Sequence, residues 1–405
     1  MDIKTLLQPA HQAFILANED ADVRDLALKA HLHANLPMPL LISQIAARKK
    51  AKTKLPTFYD HKNIIYPVQL SLEQCSSEQT ATFKANFTRG DTLLDLTGGF
   101  GIDTYFFSKN FQKVIYIERN QELADIAKHN FGVLGATNIE VVCGEATDFL
   151  TTFSGKADCV YLDPARRDTA NKKVVLLQDC EPNILEIMPL IFRKLEKKTA
   201  HKLAGKIILK TSPMLDIDLA TKELAYVNKI MVLAVENECK EVIYFMEEQQ
   251  GGEQQIETVN LLKNNIQKFS FERNIEQNST PNYALPQKYL YEPNVAILKA
   301  GGFKSISSHY QIAKLHTNSH LYTSEHLINN FVGRIFEIQA IISLNKKELQ
   351  KYIPENKANI SVRNFPLSVE EIRKKIGMKE GGNTFVFATT DYENKKVILI
   401  CKKIA

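Results

Sequence analysis

One segment constrains this chain more than any other: Leu93-Leu94-Asp95-Leu96-Thr97-Gly98-Gly99-Phe100-Gly101-Ile102-Asp103. A short apolar strand runs into a glycine-rich turn and then into a helix over 103–110. Glycine lets a backbone adopt positive φ and approach a ligand closely, although a tight strand-to-helix turn needs the same residues. The texture continues with strands at 113–118, 139–143, 157–163 and 206–210 and helices at 121–134 and 184–195. Such alternation predicts a parallel sheet with helices on both faces. Glu118 ends the second strand, Gly144-Glu145-Ala146 follows the third, and Asp163-Pro164-Ala165-Arg166 follows the fourth. These are carboxyl ends of successive strands, where open α/β sheets bind ligands. Each acid alone could cap a helix or sit on the surface; four in register argue for one site. Glu118 lies at the spacing expected of a ribose-binding acid. Gly99-Phe100-Gly101-Ile102-Asp103-Thr104 lacks a third glycine, which disfavours a dinucleotide-dependent dehydrogenase.

Around this core, residues 1–55 read as helical, broken by Pro37 and Pro39 and stopped by Pro56. Arg48, Lys49, Lys50, Lys52 and Lys54 could meet phosphates or form a solvated helix end, the second reading being slightly favoured. Residues 76–86 form a capped helix. Strands are expected at 229–235, 241–247 and 255–262, with Gly251-Gly252 marking a hairpin between the last two. Residues 274–287 read as a linker. Beyond it come a short strand ending at 361–362, a helix over 369–376 opened by Ser368 and closed by Gly377, and strands at 384–388 and 396–400.

With 44% hydrophobic and 24% charged residues in 405, the chain is globular rather than disordered, and two or three domains are expected. No apolar run nears the roughly 20 residues of a membrane helix. The start Met1-Asp2-Ile3-Lys4 lacks the order of a signal peptide, so a cytoplasmic location is expected. Six dispersed cysteines with no CxxC pair make neither a zinc site nor a disulfide framework, and no metal is expected. Residues 281–405 carry 18 Lys/Arg against 10 Asp/Glu, whereas the rest carries 33 against 36. A basic end on a near-neutral body points to an anionic partner or to a Lys-rich solubilising surface, with the two readings near even.

The strand-end constellation resembles class I S-adenosylmethionine (SAM)-dependent methyltransferases. Asp95 matches the acid of their first motif, Thr97 replaces its first glycine beside Gly98, and Gly99 and Gly101 match the later two. Glu118 corresponds to the ribose-binding acid, and Glu145, with Ala146, to the position near adenine. Asp163-Pro164-Ala165-Arg166 is similar to the Asp/Asn-Pro-Pro-aromatic motif of amino-methylating members, with Ala165 and Arg166 departing. Gln74-Cys75-Ser76-Ser77-Glu78, Tyr289-Leu290-Tyr291-Glu292-Pro293-Asn294, Gly333-Arg334 and Ile360-Ser361-Val362-Arg363-Asn364-Phe365-Pro366 resemble bacterial members with a C-terminal THUMP-like domain.

The resemblance implies a Rossmann-like α/β methyltransferase sheet, an N-terminal helical region and a small C-terminal α+β region. The expected divisions are 1–85 helical, 86–273 methyltransferase, 288–330 a small α/β linker domain (ferredoxin-like), and 331–405 THUMP-like. It implies SAM as cofactor and RNA (rRNA or tRNA) as partner, the basic end delivering RNA for methylation of a base nitrogen. Asp163 and the Pro164 carbonyl would align an amine, and Arg166 and Arg167 would serve phosphate. A protein or small-molecule methyltransferase, or a non-catalytic RNA-binding protein with a vestigial SAM fold, are the alternatives. Cys159 could be a pyrimidine-attacking thiol but fits core packing better, and Cys180 is a remoter candidate. No oligomeric state is expected from the sequence.

Overall fold

The computed structural model describes residues 3–166, 177–192, 204–247 and 253–404. The chain forms two compact units, Met1–Val227 with Ile243–Gln250, and Asn228–Val242 with Gly251–Ala405.

In the first unit, strands β1 (Gly90–Asp95), β2 (Phe111–Glu118), β3 (Ile139–Cys143) and β4 (Ala157–Leu162) are parallel, as is Ala204–Thr211. Their spatial order is Ala204–Thr211, β4, β1, β2, β3. The chain steps outward from β1 to β3 and then crosses back to β4 on the other side of β1. The switch point, where an open sheet leaves a crevice, therefore falls between β1 and β4. Leu93, Leu94, Val114, Ile115, Cys159, Val160 and Leu162 are all buried, the near-continuous apolar strands of a sheet covered on both faces. Helices Ile102–Ser108, Gln121–Val133 and Ile184–Ile191 lie where alternation predicts them, and Ala146–Thr152 adds a further helix after β3.

The helix Met38–Lys54 stops before Pro56, as expected, and Pro56 opens the next helix, Pro56–Asp60, because its fixed φ and missing N–H suit a first turn. The basic cluster is largely paired within the leader. Arg48 bonds Glu19 at 2.8 Å, Lys50 meets Glu73 at 2.5 Å, Lys52 meets Asp20 at 3.2 Å, and Lys54 donates to the carbonyls of Leu72 and Glu73.

In the second unit, the expected Gly251-Gly252 hairpin does not join neighbouring strands. The two glycines lie outside the described residues, and Gln255–Leu261 pairs in parallel with Val227–Val235 and antiparallel with Ile266–Glu272. The tight reversal comes earlier, at Glu236 and Asn237, both left-handed with φ of 48° and 61°, as a two-residue hairpin turn requires. Residues 274–287 are not wholly a linker, since Arg273–Asn278 is helical and Tyr283 bridges to Lys314.

A seven-stranded sheet follows, in the order Ala313–Lys314, Tyr322–Ser324, Tyr289–Pro293, Gly333–Ile342, Lys396–Lys403, Thr384–Thr390, Asn359–Arg363. Its longest strand, Gly333–Ile342, pairs with Tyr289–Pro293 on one side and Lys396–Lys403 on the other. Helix Val369–Ile376 forms as expected, with a Ser368–Glu371 capping box and Gly377 at φ 72°. Its Ile372 and Ile376 pack with Leu349, Val386 and Ile398 in one core, while Phe336, Phe387 and Leu399 anchor another. Among the described residues, no helix is long and apolar enough to cross a membrane.

Candidate active site

The carboxyl ends of β1, β2 and β4 bring together most of the residues singled out in the sequence. Asp95 ends β1, almost fully buried. Its Oδ1 accepts from the Thr97 N–H at 3.0 Å and its Oδ2 from the Thr104 hydroxyl at 2.5 Å, tying the loop to the helix that follows. Burial pushes its carboxyl up to about 7, although both bonds pull the other way. Asp95 therefore braces the turn from inside.

The three glycines are not equivalent. A side chain on Gly98 would meet the Tyr116 ring at 2.1 Å, and one on Gly101 the Phe131 ring at 2.6 Å. Both are packed from behind. A Cβ on Gly99 would meet nothing closer than the Thr97 carbonyl at 3.8 Å. Gly99, at φ 55°, is thus where loop backbone faces open space. Its N–H donates to Glu118 Oε2 at 2.8 Å and its carbonyl accepts from the Tyr116 hydroxyl at 2.6 Å. Glu118 Oε1 accepts from Asn120 N–H at 2.8 Å, so this carboxylate links the loop to the start of the next helix. The Glu118 carbonyl receives Gly144 N–H at 3.0 Å, which draws the end of β3 to the same edge. Glu145, the N-cap of Ala146–Thr152, is exposed and makes no side-chain cap bond, while Ala146 is buried.

Asp163 and Pro164 follow β4 directly. The Asp163 N–H donates to Thr97 Oγ1 at 2.5 Å, and the Asp163 carboxylate forms an ion pair with Lys210 Nζ. Ala165 and Arg166 continue as a two-residue strand against Cys180 and Glu181. Glu181 in turn pairs with Arg119, next to Glu118. Arg167 lies outside the described residues.

Sequence reasoning missed Lys210 and a buried polar group beneath it. Asp103 Oδ2 accepts from the Ser76 hydroxyl at 2.8 Å and the Tyr161 hydroxyl at 2.6 Å, and Lys84 lies 3.0 Å from Oδ1. Burial alone would push Asp103 up, but Lys84, then Lys210 and the two hydroxyls, hold it below the usual carboxylate range. Lys210 lies near the carboxyl end of Ala204–Thr211, and it reaches Asp163 because that strand lies beside β4. Lys84 and Asp103 carried no signal, being ordinary helix residues in sequence. Cys159 is fully buried, and burial pushes its thiol up to about 12, which fits packing and not nucleophilic attack. Cys180 is buried as well.

Comparison with known proteins places the chain. Residues 90–171 match the family of RNA cap guanine-N2 methyltransferases, residues 289–331 a ferredoxin-like domain, and residues 333–403 a THUMP domain-like family. A crystal structure of a methyltransferase candidate from Porphyromonas gingivalis W83 is 31% identical, with a TM-score of 0.87 over 100% of this chain and 99% of that one. An uncharacterized RNA methyltransferase of Thermotoga maritima is 34% identical over 76 residues, 19% of this chain and 17% of that protein. The chain thus spans less than a fifth of this curated relative. The fold and the strand-end site define a class I methyltransferase architecture. More narrowly, the chain belongs to the family of SAM-dependent methyltransferases that carry a C-terminal THUMP-like domain.

Proposed function

We propose that this protein transfers a methyl group from SAM to a nitrogen of an RNA base, with the cleft between β1 and β4 as the site of transfer. One observation carries the reading: the Thr97–Asp163 bond joins the glycine loop to the Asp-Pro turn at the sheet's switch point. Loop and turn are thereby held as one wall of one crevice.

The residues suit the cofactor. Gly99 offers backbone to open space, Gly98 and Gly101 fit only without side chains, and Glu118 at the loop's edge keeps acceptor capacity for ribose hydroxyls, since a carboxylate has about four lone-pair sites. Asp95 and Thr97 order the loop, and Glu145 and Ala146 flank the adenine position. Bound SAM supplies an electrophilic methyl group on a sulfonium.

This chain's contribution is alignment, the main requirement of an in-line displacement. Asp163 accepts an N–H of the acceptor amine and the Pro164 carbonyl a second, aiming the lone pair at the methyl group. Lys210 holds the Asp163 carboxylate in place through their ion pair, leaving lone pairs for the amine. Arg166, at the same turn, is assigned an adjoining phosphate. For the domains, the assignment is 1–85 helical, 86–273 methyltransferase, 288–330 ferredoxin-like linker and 331–405 THUMP-like, the last two supported by the matched ranges 289–331 and 333–403. RNA is the proposed partner and the cytoplasm the proposed location.

The test is methyl incorporation from labelled SAM into purified rRNA, tRNA and protein fractions. Label in an RNA fraction, recovered as a base-methylated nucleoside, is the expected result. Label in protein alone would overturn the RNA assignment.

A further inference from the structure

Three segments that the cleft does not use converge in the second unit. Glu292 lies directly opposite Arg334 across the antiparallel pair Tyr289–Pro293 and Gly333–Ile342. Its carboxylate is 3% exposed. Oε2 accepts from Arg334 Nε at 2.7 Å and also from Nη2, and Oε1 accepts from Arg363 Nη2 at 2.9 Å. Gly333 is glycine because a Cβ there would meet the Glu292 carbonyl at 2.1 Å. The arginines come from two strands separated in the sheet, yet share one buried acid.

A buried carboxylate needs partners, and one guanidinium in fork geometry would neutralise it. Two leave the group net positive. Arg363 also donates from Nη1 to the Val362 carbonyl at 3.4 Å, while its buried Nε has no acceptor. More than half of the two guanidiniums' N–H donors are thus uncommitted. Both side chains remain over a third exposed, at 37% and 38%. Arg334 also lies over the Phe336 ring, 5.5 Å from its centroid, which fixes its plane.

More positive charge stands nearby. The loop after Lys314 packs beside Arg363 through His316, whose Nδ1 meets Asn364 Nδ2 at 3.0 Å. His320, stacked on Phe303 with ring centroids 3.6 Å apart, leaves a buried Nδ1 unpaired. Burial first, then Lys314 and Arg363, depress its imidazole to about 4. Its ring is therefore neutral at pH 7.

We propose that the Arg334–Glu292–Arg363 triad is a phosphate-binding site, with Glu292 orienting two guanidiniums whose remaining donors grip a phosphate of the RNA backbone. This rests on the RNA reading above. Planar guanidinium forks match phosphate oxygens, and a buried acid that fixes them removes the entropy cost of ordering long side chains on binding. The exposed lysines Lys346, Lys347, Lys374 and Lys375 lack such an anchor.

The experiment uses the full chain and its Arg363→Gln and Arg334→Lys variants, each checked by circular dichroism and by SAM affinity. RNA affinity is measured against purified tRNA and rRNA at several salt concentrations, and thermal stability with and without inorganic phosphate. We expect about tenfold weaker RNA binding in Arg363→Gln, a salt slope shallower by about 0.7–0.9, and loss of the stabilisation that phosphate gives the parent protein. Arg334→Lys, which keeps a cation on Glu292, serves if Arg363→Gln does not fold, and should show the same direction. Folded variants with unchanged RNA affinity, salt slope and phosphate response would overturn the site. A parent protein that binds neither RNA yet responds to phosphate only when both arginines are present would keep the site and remove the RNA reading.

Discussion

The hydroxyl of Thr97 accepts a hydrogen bond from the backbone N–H of Asp163 at 2.5 Å. These residues are 66 positions apart, and each departs from or belongs to a different motif. The bond gives a reason for threonine where related loops carry glycine: it locks the turn after β4 to the loop after β1. Thr97→Val keeps the shape but leaves a partly buried N–H unpaired, at a cost of about 1 kcal/mol. The expected outcome is roughly a tenfold or greater loss in the methyl-transfer rate, rescued by Thr97→Ser. Equal rates in the valine and serine variants would show that the bond does not position Asp163.

The glycines separate folding from binding. Gly98→Ala forces a methyl against the buried Tyr116 ring, so we expect a lower melting temperature. Gly99→Leu has room but sits at φ 55° and fills the open face of the loop. It should fold with modest destabilisation and lose SAM affinity sharply. Paired calorimetry and thermal denaturation read the two effects apart. Undiminished SAM affinity in a folded Gly99→Leu protein would remove the loop from the cofactor site.

Asp95 carries a pH signature. Its carboxyl is raised to about 7 in the folded chain from an ordinary value of 3.8. The folded state therefore holds a proton that the unfolded chain releases first. Its stabilising contribution is full below about pH 4 and is lost as pH rises towards 7, on the order of 4 kcal/mol. Asp95→Asn abolishes this titration. Chemical denaturation across pH 4 to 8 should show the stability of the parent protein falling relative to Asp95→Asn. A constant difference would mean that Asp95 is ionised throughout.

The parallel sheet and its strand-end acids were readable because strand, turn and helix signals are local, and carboxyl ends follow directly from strand assignment. Lys210 was not read because its meaning depends on strand order: it reaches Asp163 only because Ala204–Thr211 lies beside β4. The Gly251-Gly252 hairpin was misread since glycine pairs signal turns without naming the strands they join. The true reversal at Glu236-Asn237 carries no glycine. Strand Gly333–Ile342 was hidden by its mixed exposure, which blurs period-2 alternation. The Glu292 triad joins residues up to 71 positions apart and lay inside motifs whose function local sequence does not express.

Asp163 is expected to align the acceptor and not to hold the cofactor. The direct measurement is the single-turnover rate of methyl transfer to the RNA substrate by Asp163→Ala, alongside its SAM affinity by calorimetry. We expect a rate lower by several orders of magnitude, on the scale of a lost positioning effect, with SAM affinity within a few-fold of the parent protein. Full activity in a folded Asp163→Ala protein would contradict this expectation.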